Sequence, residues 1–373
     1  MEDVDHATGP GRVLLLSAPV GEGHVAAART LAARMRALWP AAGALHLVHL
    51  GGPARDALLR HSYAATMRFA PALYGLGYDA LVRYPAAARP FKAMSAARVG
   101  RALAPLVEAH RPDLVVSTYP MTSGGLAWLR RRGRLPGRAV AVVTDMAVHP
   151  FWVWDGLDET WTLLERSREQ ALATVPGADV RVVAAAVDPR FGPADRRAAR
   201  HGLGLAPGRF TVLVTGGSLG FGGLDKVVDA VLAAGPDVRA VVLCGRNERL
   251  RARLAGRPGL TALGWTDRVP ELVVAADVIL TTAGGVIATE ALATGRPVLF
   301  AAPVAGHGRA GAAVAAEAGL ALVCPRLPDV TATVARLAAD PAALEPFARS
   351  AGEFGARDLD AELRALAVRV AAG

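Results

Sequence analysis

Short apolar runs alternate along the chain with longer stretches of helical spacing. Arg12 to Ser17 is a continuous apolar run of the length that suits a strand buried on both faces. A glycine-rich turn, Ala18 to His24, follows it. Val25 to Leu38 then places Ala28, Leu31, Ala32 and Met35 at helical spacing, and Leu45 to Leu50 reads as a second strand. This is a βαβ opening. Further strands are predicted at Leu114 to Ser117 and Ala139 to Thr144, with shorter ones at Thr160 to Leu164 and Val180 to Ala184. Val187 to Arg209 holds Pro189, Pro193 and Pro207 and reads as an interdomain linker. The opening pattern then returns. Phe210 to Thr215 is a strand, Gly216 to Gly223 a glycine-rich loop and Leu224 to Ala234 a helix, with strands at Ala240 to Leu243, Ala262 to Gly264, Val278 to Thr281 and Pro297 to Ala301. Strands that alternate with helices in this way predict an α/β fold with parallel, doubly wound sheets.

Length makes the repeat a matter of two domains, because 373 residues exceed what one hydrophobic core usually supports. The expected division is 1–195, 196–345 and a C-terminal helix within 346–373 that packs back on the first domain. The formal net charge of +9 admits nucleic acid, an anionic membrane or a phosphate-bearing substrate as partner. No Lys/Arg run or nucleic-acid recognition module is present, so nucleic acid drops out. Cys244 and Cys324 form no CxxC pair and lie at the ends of strand-like runs, which predicts buried, reduced thiols and no metal site. Met1 to Gly11 is polar without an apolar core, unlike a signal peptide, and no run approaches the ~20 apolar residues of a membrane span. The cytoplasm is the expected compartment.

Three places carry candidate chemistry. The loop Gly216 to Gly223 joins a strand to a helix, so its N–H groups and the helix N-terminus suit a diphosphate. The plainer alternative is a turn without a ligand. Gly21 to Ala26 fits GxGxxA, yet the second strand ends without the acidic residue that a dinucleotide site uses on the ribose, and Gly216 to Gly223 lacks the GxxxxGK[ST] pattern. NAD binding and ATP hydrolysis are therefore disfavoured. At Thr281 to Glu290 a strand again ends in glycines before a helix, and the Glu290 carboxylate can accept two hydrogen bonds from a ribose diol. As a surface residue it would only stabilise the helix start. His24 follows Gly23 where a helix begins, a position that favours a neutral ring able to take a proton from a hydroxyl. Asp145 and His149 lie just past the predicted strand Ala139 to Thr144, where side chains face a ligand crevice. Asp145 is a candidate to orient an imidazole or to act as the base, or else a turn cap.

These residues together resemble the diacylglycerol glycosyltransferases, the group that holds monogalactosyldiacylglycerol synthase and the processive glucosyltransferases, and more distantly the enzyme that adds N-acetylglucosamine to lipid I. The resemblance is carried by Ser17 to His24, Pro112 to Pro120, Thr144-Asp145 with His149 and Trp152, Thr215 to Ser218, Gly264-Trp265-Thr266, Ala283 to Glu290 and Gly295-Arg296-Pro297. It implies a GT-B fold, two Rossmann-like domains facing across a cleft, with a UDP-sugar donor on the C-terminal half. It implies donor contacts from Gly23, Gly216, Gly217, Ser218, Gly245, Trp265, Gly284, Gly285 and Thr289, with Glu290 on the ribose and the backbone near Val269 on the base. His24, Asp145 and His149 are the implied catalytic set of an inverting hexose transfer that needs no metal and no other cofactor.

One segment departs from the family. Pro303 to Gly311 lacks the expected Gln, Glu and Asn, with His307 and Arg309 as replacements, which leaves the sugar open. The acceptor is expected to be a lipid or another hydrophobic hydroxyl compound, with a secondary metabolite as the alternative. Residues 55–111 are rich in Arg and aromatics, which suits an anionic membrane surface and a peripheral position. A plain pair of solvated helices is the alternative. A sugar-nucleotide 2-epimerase and a non-catalytic nucleotide-sugar-binding partner remain as alternative functions.

Overall fold

The computed structural model describes residues 9–18, 22–40, 44–49, 66, 70–217, 223–283 and 285–372. Of these, the residues up to 49 together with 76–186 and 358–372 form a first unit, and 66, 70–75 and 187–357 form a second.

In the first unit the chain runs β1 (Arg12–Ser17), α1 (Glu22–Leu38), β2 (Ala44–His49), α2 (Pro71–Arg83, of which 76–83 lie in this unit) and α3 (Pro85–His110). It continues through β3 (Leu114–Ser117), α4 (Pro120–Arg130), β4 (Arg138–Val142), β5 (Glu159–Thr162), α5 (Glu165–Thr174) and β6 (Val180–Val182). The strands form one parallel sheet in the order β2-β1-β3-β4-β5-β6. Burial on both faces explains why β1 is apolar at successive positions. Its Val13 and Leu15 pack with Leu31, Met35 and Trp39 of the α1 side, while Leu14 and Leu16 pack with Leu103, Val107, Leu126 and Leu129 of α3 and α4. Helices α3 and α4 approach closely because glycines meet where they cross. A Cβ on Gly100 would fall 2.5 Å from the Trp128 ring, and one on Gly125 2.7 Å from Val99.

The second unit runs α6 (Arg196–Gly202), β7 (Phe210–Thr215), α7 (Leu224–Leu232), β8 (Val238–Leu243), α8 (Glu248–Leu254), β9 (Leu260–Leu263) and α9 (Val269–Ala275). Then come β10 (Val278–Thr281), α10 (Val286–Ala293), β11 (Val298–Ala301), α11 (His307–Glu317), β12 (Ala321–Cys324), α12 (Leu327–Ala339) and α13 (Glu345–Gly355). Its parallel sheet has the order β12-β11-β10-β7-β8-β9, around a core of Val212, Val214, Val227, Val231, Leu280 and Leu299. The segment expected as a linker is folded into this unit instead. Asp195 caps α6 by accepting from the backbone N–H groups of Arg197 and Ala198, and α6 packs on α9.

The last helix, α14 (Leu359–Ala371), returns to the first unit, where Leu359, Leu363 and Leu366 join the core beside Leu31 and Met35. Arg369 fixes it by donating to the buried Glu159 at 2.7 and 3.0 Å. Burial alone would raise the Glu159 pKa, but hydrogen bonds from Arg369 and Trp161, with the charge of Arg181, hold it below the usual carboxylate range. The Asp358-Leu359-Asp360 run is structural: Asp358 caps α14 and Asp360 pairs with Arg34 at 3.0 Å. Cys244 and Cys324 are free and buried. No helix among the described residues is long and apolar enough to cross a membrane.

Candidate functional site

In an open parallel sheet the ligand crevice lies beyond the carboxyl ends of the strands, where the strand order reverses. In the second unit that point is between β7 and β10, which pair Thr215 with Thr281. Both strands end in a threonine whose hydroxyl accepts from the N–H two residues on: Gly217 N–H to Thr215 Oγ1 at 3.2 Å, and Ala283 N–H to Thr281 Oγ1 at 3.3 Å. The two turns lie against each other, since a Cβ on Gly217 would sit 3.6 Å from that of Ala283. Gly217 at φ +75° and Gly285 at φ +52° need the left-handed backbone that glycine adopts freely. Thus the turn after β7, with Gly216 and Gly217, meets the turn after β10 that leads through Gly285 into α10. Ser218 and Gly284 lie outside the described residues.

Glu290 is the fifth residue of α10 and is half-buried, unlike a surface cap. Its carboxyl group makes no hydrogen bond to any described residue. Burial, and then the negative charge of Asp188, push its pKa up to about 8, and Arg190 opposes them. Arg190 is itself held by Asp188, its Nη2 donating to Oδ2 at 2.9 Å. That bond keeps the Asp188 pKa below the ordinary carboxylate range. The Asp188–Arg190 pair escaped the sequence reading because it lies in the proline-bearing segment taken as a linker. Thr289 is buried and turns its hydroxyl to the Val286 carbonyl at 2.8 Å, so it serves the helix.

The other donor candidates lie past neighbouring strands of this unit. Gly245 follows β8 at φ +58°, and Val269 begins α9. Trp265, past β9, is 58% exposed, with the Arg246 guanidinium 4.2 Å above its ring. Past β11, Ala302 is held at φ +42°, a conformation that costs a non-glycine residue energy. His307 then opens α11, and the Tyr74 hydroxyl meets its Nδ1 at 3.1 Å.

In the first unit the reversal lies between β1 and β3. His24, in the first turn of α1, is half-buried there with Gly23 beside it. Thr118 Oγ1, just past β3, donates to the His24 carbonyl at 2.9 Å, and the ring stacks edge-on with Tyr119 at 5.3 Å. Its Nδ1 shares a 2.9 Å hydrogen bond with Thr144 Oγ1. The structure therefore corrects the expectation for Asp145 as the group that orients His24: Thr144 makes that contact. Asp145 Oδ2 instead accepts from the Trp152 indole at 3.0 Å, and Trp152 packs its ring 5.8 Å from that of His24. Sequence could not show that Trp152 folds back over seven residues. His149 lies farther along this loop, its Nδ1 accepting from the Phe151 N–H at 3.2 Å and its ring 5.7 Å from Tyr78. Lys92 anchors the loop, with Nζ donating to the Val153 carbonyl at 2.7 Å and lying 4.2 Å above the Trp154 ring. Burial, aided by Arg131, lowers the Lys92 pKa to about 8.

Residues 24–183 match the family model described as monogalactosyldiacylglycerol (MGDG) synthase. The processive diacylglycerol beta-glucosyltransferase of Bacillus subtilis is 28% identical over 346 residues, covering 88% of this chain and 87% of that protein. Among solved structures, Anabaena HepE in complex with UDP and glucose aligns with a TM-score of 0.58 at 15% identity, over 97% of this chain and 99% of that one. MurG of Acinetobacter baumannii aligns with a TM-score of 0.59 at 15% identity, over 96% and 99%. The resemblance read from the motifs and the GT-B class with two parallel-sheet Rossmann-like folds are both borne out.

Proposed function

From the premise that this chain is a GT-B glycosyltransferase similar to the diacylglycerol glycosyltransferases, we propose that it moves a hexose from a UDP-sugar to a lipid hydroxyl, with inversion at the anomeric carbon. The observation that carries the donor half is Glu290. It is a half-buried carboxyl group whose desolvation raises its pKa, without a hydrogen-bond partner among the described residues, at the end of the sheet where the strand order reverses. Such a group is costly unless a ligand supplies donors, and a ribose diol supplies two. The glycine turns and the starts of α7 and α10 receive the diphosphate, the charge that grows as the bond to the sugar breaks. This arrangement does the work that a metal does in other transferases, so the reaction is proposed to run without one. UDP and glucose in the HepE complex, and the name of the Bacillus relative, support the choice of donor and acceptor class.

On the acceptor side, His24 donates Nδ1–H to Thr144 and uses Nε2 to take the acceptor's hydroxyl proton. The acceptor oxygen then bonds the anomeric carbon, while the carbon–oxygen bond to the diphosphate breaks and UDP leaves with its electron pair. Thr144 thus has the orienting role, and Asp145 positions Trp152 against the histidine.

The lipid reading also accounts for an exposed surface. Among the described residues, six of the eight exposed large apolar side chains fall between positions 73 and 94: Leu73, Leu76, Val82, Tyr84, Phe91 and Met94. Arg83, Arg89 and Arg98 accompany them, with Asp79 as the one acid between 71 and 100. Apolar side chains among arginines suit an anionic bilayer surface, on which the protein docks peripherally. The test of the donor reading is a calorimetric titration with UDP. The wild-type chain binds, and Glu290→Ala weakens binding by the ~1.5–3 kcal/mol of a hydrogen bond to a charged group. Equal affinity in the two proteins would remove Glu290 from the site and the proposal with it.

A further inference from the structure

The second unit gathers positive charge at the opposite, amino ends of its strands. Asp277, directly before β10, is nearly buried and its carboxylate is fully engaged. It accepts from the Thr211 backbone N–H at 2.7 Å, from Arg200 Nη1 at 3.2 Å and from Arg196. Arg200 also donates to Thr211 Oγ1 at 2.7 Å. A third arginine, Arg296, reaches the same place from the turn between α10 and β11. It is half-buried, and its side chain has no hydrogen bond or ion pair with any described residue. The Nε atoms of Arg196, Arg200 and Arg296 are all enclosed without a partner. Burial, then the charges of Arg196 and Arg200, disfavour the Arg296 cation, and Asp277 only partly offsets them.

Two guanidinium groups thus share one carboxylate, and the third stands beside them without a partner among the described residues, since the Pro297 carbonyl next to Arg296 accepts from the Ile279 N–H at 2.9 Å, two residues past Asp277. Arginine keeps its proton under all ordinary conditions, so the surplus charge cannot be relieved by titration. It can be relieved by an anion, and the planar donor fork matches the oxygens of phosphate. We propose that Arg196, Arg200 and Arg296 form a second anion site, which takes a phosphate group, either free or on a lipid headgroup. It is distinct from the nucleotide site, since it lies at the other end of the strands. The Gly295-Arg296-Pro297 motif thereby gains a role that sugar transfer does not give it.

The experiment is a thermal melt of the full chain with its nucleotide site saturated by UDP. Sodium phosphate is compared with sodium chloride at matched ionic strength. Phosphate should raise the wild-type Tm by about 3 °C or more beyond chloride. Arg296→Met should lose this response yet keep its stabilisation by UDP, and Arg296→Lys, which keeps the charge but not the fork, should respond weakly. If Arg296→Met does not fold, the Arg296→Lys comparison and a phosphate titration of the wild type by calorimetry decide. Equal effects of phosphate and chloride, or a full response in the Arg296 variants, would overturn the proposal. Phosphatidylcholine vesicles with and without phosphatidic acid separate the sources. An Arg296-dependent gain in vesicle binding assigns a headgroup, and its absence beside a positive melt assigns free phosphate. A chain that failed to bind UDP would still be read by the phosphate arm, so the two functional readings fail separately.

Discussion

At the scale of single residues, the proposed chemistry turns on two side chains. His24 is the proposed base, so His24→Ala should lower turnover ~10²-fold or more while UDP affinity stays nearly intact, as steady-state kinetics beside calorimetry will read. Asp145→Asn should be the milder change, because its partner is an indole and Thr144 takes the imidazole. Glu290 carries a pH dependence whose sign follows from its pKa of about 8. Below that value the ligand-free folded chain keeps the carboxyl group protonated, and a ribose diol prefers the ionised form. UDP affinity should therefore increase from pH 6 to 8 and level off above, and binding at pH 7 should release a proton. Titrations in buffers of different ionisation enthalpy detect that proton, and Glu290→Gln should abolish both effects. The same shift acts on stability. Between the ordinary carboxyl pKa and about 8 the folded chain holds a proton that the unfolded chain has lost, so this group's contribution to stability falls as pH rises through that window.

At the scale of elements, close helix packing can be tested directly. A side chain on Gly100 would run into Trp128 and the Gly125 carbonyl, so Gly100→Val should destabilise the first unit by roughly 1–3 kcal/mol in a urea melt. An unchanged midpoint would show that α3 and α4 have room to part. The sequence announced some elements well and others poorly, for physical reasons. The bounds of β3, β7 and β10 were legible because each is a run of buried apolar residues cut off by glycine, proline or a polar residue. The edge strand β12 showed only as the strand-like run that ends at Cys324, without bounds. The segment 187–209 looked like a linker for its prolines, yet Asp195 starts a helix within it, and Asp188 and Arg190 belong beside Glu290. The placing of Glu290 was legible because glycines at the end of a parallel strand mark a crevice. Its enclosure was not, since that depends on segments far away in the chain.

At the scale of the whole molecule, the exposed apolar residues of α2 and α3 should govern where the enzyme works. Replacing Leu76, Phe91 and Met94 together by Glu should sharply reduce cosedimentation with anionic vesicles and leave UDP binding unchanged. Full retention on vesicles would move the docking surface elsewhere. The first unit also draws on two distant parts of the chain, for the core around Leu31 and Met35 is completed by Leu359, Leu363 and Leu366. A ribosome delivers those leucines only after all of 187–357 has emerged. The second unit's sheet can form during synthesis, whereas the first must wait with an apolar groove uncovered. A nascent chain halted before position 358 would present that groove to chaperones and proteases, so His24 is mounted on a finished scaffold only in polypeptides translated past α14.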